Sequence, residues 1–171
     1  LYRLLILEKK MTEYRIEKDS IGEIEVPSDK FWGAQTQRSL INFPIGEDKM
    51  PEELIKAFSI QKKAAAISNM AIGKLNSELG EKIIEVCDEL ILGKLSDNFP
   101  LSVWQTGSGT QTNMNLNEVI ANKSNLLLGK KLPSNSPLHP NDDINKSQSS
   151  NDVIPTTINI SCVLLTVDLM E

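Results

Sequence analysis

Beyond Val153, apolar side chains recur at Ile154, Ile158, Cys162, Leu165 and Leu169, at spacings of four, four, three and four. That period places them on one face of an α-helix. Such a face must be buried against other elements, so a chain that carries it is committed to helix-on-helix packing. The stripe runs to Glu171 with no glycine or polar tail to close it. The expectation is a helix from Val153 with Pro155 in its first turn, cut short as the first helix of a larger bundle and needing partners from outside this sequence.

Upstream the pattern is also mainly helical. Pro51 ahead of Glu52 and Glu53 suits a helix start, and Leu54, Phe58, Ala65 and Ile72 follow at spacings of four or seven. A second helix is expected from about Glu81 to Leu92, with Ile83, Ile84, Cys87, Leu90 and Ile91 inward and Gly93 as its stop. A third should begin near Asn115, with Leu116, Val119, Ile120 and Leu127 on one face and Gly129 after it. Near the N-terminus, Tyr14, Ile16, Ile24 and Val26 alternate with charged residues around Asp19-Ser20-Ile21-Gly22, which predicts a short β-hairpin ended by Pro27.

A formal net charge of -5 without a Lys/Arg cluster argues against nucleic acid as a partner. Cys87 and Cys162 lie far apart in helical patterns, with no Cys-x-x-Cys and one histidine, His139, so no metal site is expected. Buried reduced thiols suit a cytoplasmic protein. Residues 1–10 hold too short an apolar run for a signal peptide or a membrane span, and are expected to be an extension outside the fold.

Two segments are dense in small polar side chains. Thr106-Gly107-Ser108-Gly109-Thr110-Gln111-Thr112-Asn113-Met114-Asn115 precedes the third helix, where glycines allow a tight bend and free N–H groups favour an anion. A nucleotide loop is excluded, because Gly-x-x-x-x-Gly-Lys-Ser/Thr is absent and no strand precedes the glycines. The same residues also suit a plain helix-capping turn. The second segment, His139-Pro140-Asn141-Asp142-Asp143-Ile144-Asn145-Lys146-Ser147-Gln148-Ser149-Ser150-Asn151-Asp152, lies in the polar stretch from Pro133 to Asn151, which is expected to be a loop. Ser149, Ser150 and Asn151 can each donate to a carboxylate oxygen. Alternatively, Asn151 or Asp152 caps the last helix, and a lone histidine such as His139 also suits a loop hydrogen-bonder.

Together with Phe31-Trp32-Gly33-Ala34-Gln35-Thr36-Gln37-Arg38, these two segments closely resemble the class II fumarases of the aspartase/fumarase superfamily, in the same order and without gaps. The resemblance covers residues 12–171. Ser149-Ser150-Asn151 and Ser147 resemble fumarase more than aspartase, which typically carries Ser-Thr-Asn at the first and often Cys at the second; Ser108, Gln111 and the Phe-Trp-Gly-Ala-Gln-Thr run lean the same way.

The resemblance implies a mainly α fold, with a small N-terminal lyase domain containing a β-hairpin over residues 11–150 and the start of a long central helical bundle over 151–171. It implies reversible hydration of fumarate to (S)-malate without a cofactor, in a homotetramer whose sites combine segments of three subunits. Ser108, Thr110, Ser149, Ser150 and Asn151 would then hold the dicarboxylate, and His139, Asn141 and Asp142 an accessory dicarboxylate site. Proton removal from C3 of malate creates a dianionic aci-carboxylate, which hydroxyl and amide donors set in place beforehand would stabilise. The family's base, a serine on a Gly-Ser-Ser-x-Met-Pro-x-Lys-x-Asn loop, and its Thr-His pair do not occur in these residues, so no catalytic residue is expected here and the chain alone should be inactive. Two rival readings remain: aspartase or another lyase of the superfamily, and a non-catalytic oligomerisation module on the same scaffold. The intact donors Thr110 and Ser149 to Asn151 speak against the second.

Overall fold

The computed structural model describes residues 13–106 and 108–170. The expected extension over residues 1–10 lies outside them. The chain forms a hairpin of β1 (Tyr14–Lys18) and β2 (Glu23–Pro27), then helices α1 (Ala34–Asn42), α2 (Glu52–Ala71), α3 (Ser77–Ile91), α4 (Thr110–Leu127) and α5 (Ser150–Met170). A 3-10 turn spans Ser96–Asn98 and a π-helical turn spans Pro140–Ile144. The fold is thus mainly α with one two-stranded antiparallel sheet, as expected.

The hairpin forms where the alternation places it, and β2 turns Val26 inward, but in β1 the charged side faces inward. Arg15 and Glu17 are buried while Tyr14 and Ile16 are exposed. The reason is the guanidinium of Arg15, which donates to the carbonyls of Pro27 (2.8 Å), Lys30 (2.6 Å) and Trp32 (2.6 Å) and to Glu17 Oε1 (2.8 Å). This clamps the chain leaving β2. Burial raises the Glu17 carboxyl above its ordinary range, with Arg15 opposing the shift.

α2 and α3 pack against each other, and α4 lies against α1, α3 and α5. Phe58, Ile83, Val86, Leu116, Ile120 and Val153 are fully enclosed members of the common core. The inner face of α2 differs from the expected stripe. It consists of Ile55, Phe58, Ser59, Lys62, Ala66 and Asn69, whereas Ile72 is exposed beyond the helix end. α3 starts at Ser77, four residues earlier than expected, because the Asn76 side chain accepts from Leu79 N (3.2 Å).

α4 starts five residues earlier than its apolar pattern suggests and is buried on nearly every side, polar residues included. Its asparagines tie loops to the core. Asn115 donates to Asn98 O (3.0 Å), Asn122 to Phe31 O (2.8 Å), and Asn125 to Ser134 O (2.9 Å) and Leu138 O (2.8 Å). Glu118 reaches from α4 to the start of α1, where it accepts from Gly33 N (2.9 Å), Gln35 N (2.8 Å), Thr36 N (3.1 Å) and Thr36 Oγ1 (2.6 Å). It serves as a cap borrowed from another helix. Burial pushes this carboxyl up, against the pull of those four donors.

The stretch from Pro133 to Asn151 is less of a loop than expected, since the π-helical turn buries Ile144 and α5 begins at Ser150. Ser149 caps that helix. Its carbonyl accepts from Asp152 N (3.0 Å) and Val153 N (2.9 Å), and its hydroxyl from Asn151 N (3.3 Å). Because α5 starts three residues early, Pro155 lies inside it, and the N–H that would have bonded Asn151 O is the one proline lacks. The face that α5 buries in this chain is Val153, Thr157 and Ser161. Ile158, Cys162, Leu165 and Leu169 remain exposed.

Candidate functional site

The site is built where two helices begin side by side. Gly109 precedes α4 in the left-handed region at φ 68°, and a Cβ there would stand 2.9 Å from Ile154 Cδ1. Only glycine meets both demands without strain, and its absent side chain lets the start of α5 come close. The consequence is a direct link between the first residues of the two helices, with Thr110 Oγ1 3.4 Å from Ser150 Oγ. Ser108 Oγ adds a third hydroxyl, 2.9 Å from Thr110 Oγ1.

The structure therefore brings Ser108, Thr110 and Ser150 into one cluster, with Ser149 and Asn151 flanking Ser150. Ser108, Ser149 and Asn151 are exposed, and Thr110 and Ser150 are half-buried. The arrangement is a wall open to solvent. Two helix N-terminal ends converge on it, and each presents partial positive charge and N–H groups. The Ser149 hydroxyl accepts from Asn151 N and keeps its own O–H to donate. The chemistry offered is the holding of a small anion, with donors and no base.

The rest of the glycine-rich segment is braced from within. Gln105 accepts from Thr112 N (3.0 Å) and donates to Thr112 Oγ1 (2.8 Å), while Ser39 donates to Gln111 Oε1. Beneath the Ser149 side lies a layer that the sequence patterns did not single out. Lys62 from α2 donates to Asn145 Oδ1 and Gln148 Oε1, both at 3.0 Å, and Asn113 from α4 donates to the same Asn145 oxygen at 3.1 Å. Two signals pointed towards it: asparagines at 113, 115, 117, 122 and 125 in a helix they do not favour, and the two amides Asn145 and Gln148 three residues apart in the polar stretch before α5.

His139, Asn141 and Asp142 lie elsewhere, around the π-helical turn. His139 Nδ1 accepts from Asn141 N (3.3 Å) and Asp142 N (3.2 Å), so the ring caps the turn. The same nitrogen lies 3.4 Å from Asp142 Oδ2. An atom accepting two N–H groups carries no proton of its own, so the capping role outweighs an ion pair there. His139 and Asn141 line a cleft of about 310 Å³ with Lys18, Asp19, Gln35 and Glu118, whereas Asp142 does not line it. Among the described residues, no group of three or more His, Cys, Asp or Glu is placed to hold a metal ion.

A family model described as a lyase matches residues 22–171, and the chain belongs to this family. The relatives that it matches are more particular. Class II fumarate hydratases from Bacillus cereus and Bacillus subtilis are 60% and 57% identical to it over 152 residues, which is 89% of this chain and 33% of each relative. Among solved structures, a recombinant class II fumarase from Schistosoma mansoni matches with a TM-score of 0.86 at 42% identity, over 90% of this chain and 33% of that one. A fumarate lyase:delta crystallin from Brucella melitensis matches with a TM-score of 0.86 at 40% identity, over 89% and 36%. The chain thus spans about a third of the length of the relatives it matches.

Proposed function

We propose that this chain forms one wall of the active site of a class II fumarate hydratase, which interconverts fumarate and (S)-malate. The observation that carries this reading is the convergence of the α4 and α5 starts, with Ser108, Thr110 and Ser150 linked at 2.9 and 3.4 Å. Thr110, Ser149, Ser150 and Asn151 would hold one carboxylate and the negative charge that grows on it as C3 loses its proton. Ser108 completes the hydroxyl cluster. The wall is open, and the base and the acid that handles the hydroxyl come from segments outside these residues. No cofactor has a part in this reading.

His139, Asn141 and Asp142 are proposed as a weaker, accessory dicarboxylate site. The cleft beside His139 and Asn141 supports it, but its walls also carry Asp19 and Glu118, and His139 already occupies two of the turn's N–H groups. We further propose a cytoplasmic homotetramer, which two free cysteines suit. Residues 11–150 would form the N-terminal domain and 151–171 the start of its bundle. By length and composition α5 could cross a membrane. We read it as a bundle helix, because Thr157 and Ser161 are buried where it packs against α2 and α4.

The test is a chimaera in which residues 22–170 replace the matching third of the Bacillus subtilis class II fumarate hydratase. Loss of fumarate absorbance with formation of malate is the expected result. A folded, tetrameric chimaera without turnover would overturn the reading, and ammonia release from aspartate would move it to aspartase. The 171-residue chain alone is expected to show no turnover above blank at high concentration.

A further inference from the structure

Lys62 lies on the inner face of α2 with 1% of its surface exposed. Its ammonium meets only neutral amides, Asn145 Oδ1 and Gln148 Oε1. A buried cation in that state is costly, because two amide dipoles replace less than its lost hydration. The turn it holds is not a remote one, since Gln148 is the residue before Ser149. Asn113 Nδ2 shares the Asn145 oxygen at 3.1 Å, so a single amide group joins α2, the α4 start and the turn. Asn69 Nδ2, from the end of the same α2 face, fixes Lys146 O at 3.0 Å.

No carboxylate among the described residues supplies the missing counter-charge. On α3 the Cys87 thiol is the group near enough to act on Lys62, and burial pushes that thiol up to about 12, so it stays neutral. The other charged groups of α3 are engaged or face solvent: Asp88 pairs with Lys63, Glu85 with Lys82 and Glu89 with Lys123, while Glu78 and Glu81 are exposed. In the turn, Asp143 is paired with Lys146. On α4, Glu118 is taken up by the start of α1, and on α5 Asp152 is exposed.

We propose that Lys62 is a positioning residue for dicarboxylate binding: its buried ammonium holds the Asn145–Gln148 turn in register with α4 and gives the dianion at Ser149 to Asn151 a counter-charge. This rests on the function proposed above. A bound dianion favours the ammonium, and the ammonium favours the dianion, so each strengthens the other. Burial pushes the Lys62 ammonium down to about 7. Substrate affinity should therefore weaken as pH rises above that value, with proton uptake on binding.

The experiment uses the active chimaera and measures KM and kcat for fumarate between pH 6 and 9. Lys62→Met is expected to raise KM at least tenfold at pH 6.5 and to remove the alkaline limb of kcat/KM. Lys62→Arg, which stays charged, should keep KM low into alkaline pH. Gln148→Glu gives the ammonium a carboxylate of its own and should raise KM at least tenfold without removing the lysine. An active parent whose Lys62→Met variant keeps its KM and pH profile overturns this proposal alone, and if that variant does not fold, an unchanged Gln148→Glu variant does the same. An inactive parent overturns the fumarate hydratase reading and this one with it.

Discussion

Thr110 and Asn151 offer donors to the site without being buried in the core, so truncating them should remove binding groups and leave the fold intact. In the chimaera, Thr110→Ala or Asn151→Ala is expected to cost about 2–4 kcal/mol in kcat/KM if these groups act as preorganised donors to developing charge. His139→Asn should cost much less, since that ring caps a turn; a loss as severe as the other two would place His139 in the active site. Lys62 makes a separate prediction about stability. Its ammonium titrates near 7 in the folded chain against an ordinary value of 10.5. Between those values the unfolded chain binds more protons, so stability rises with pH across that window and is lowest below it. The slope from this residue is at most about 1.4 kcal/mol per pH unit. Urea unfolding of the parent and Lys62→Met should show it as a slope in the parent alone, and equal slopes would mean that the lysine keeps its ordinary affinity for protons. Nothing in the sequence marks Lys62, because a lysine beside Lys63 on an amphipathic helix has the pattern of a solvated face. Ser108, Thr110 and Ser149 to Asn151 drew notice because small polar residues are conspicuous next to helices, and the structure places them at the starts of α4 and α5.

Of the helices, α3 and α4 were the most legible, with Ile83, Cys87, Leu116 and Val119 buried as their period predicts and Gly93 and Gly129 at positive φ where the stops were expected, whereas α1 has no apolar period to announce it. The start of α2 after Pro51 was legible too, but those of α3, α4 and α5 were not, and the cause is common to these three. α3, α4 and α5 open on polar residues whose helical state depends on caps or partners that a periodicity cannot show: Asn76 for α3, Gln105 for α4 and Ser149 for α5. The hairpin shows the same limit. Alternation located its strands, but the inward face of β1 was decided by Arg15, which reaches the carbonyls of Pro27, Lys30 and Trp32. The junction of α4 and α5 is the element-level feature most open to test. Gly109→Ala puts a Cβ at positive φ and against Ile154, whose side chain can yield only in part, with Cδ1 at 2.9 Å and both Cγ atoms at 3.3 Å. The expected cost is about 1–2 kcal/mol of stability. KM in the chimaera should rise too, because Thr110 and Ser150 would move apart. A Gly109→Ala variant with parental melting temperature and KM would show that the close approach of the two helices is not required.

At the scale of the whole molecule, α5 joins the chain by its first half and extends beyond it. Val153, Thr157 and Ser161 are buried against the other helices, yet Thr157 Oγ1 is enclosed without a partner among the described residues, and Ser161 is the last buried residue along the helix. Beyond it the apolar side chains lie open, with Leu169 87% exposed. A groove of Thr156, Asn159, Ile160, Val163 and Leu164 runs along another side of the same helix. Each large apolar side chain gains about 1.5–3 kcal/mol on full burial, so several of them together outweigh the cost of bringing copies of the chain together at moderate concentration. The 171-residue chain is therefore expected to self-associate through α5, or to fray from about Ser161 onward where packing against α2 and α4 ends. Light scattering over a concentration series tests the first outcome, and amide exchange along 150–170 tests the second. Leu165→Lys with Leu169→Lys should reduce association without disturbing protection of Val153, which lies in the enclosed core. A monomer at high concentration whose amides are protected as far as Leu169 would mean that the domain folds over the stripe, and the reading of α5 as a bundle helix awaiting neighbours would have to be abandoned.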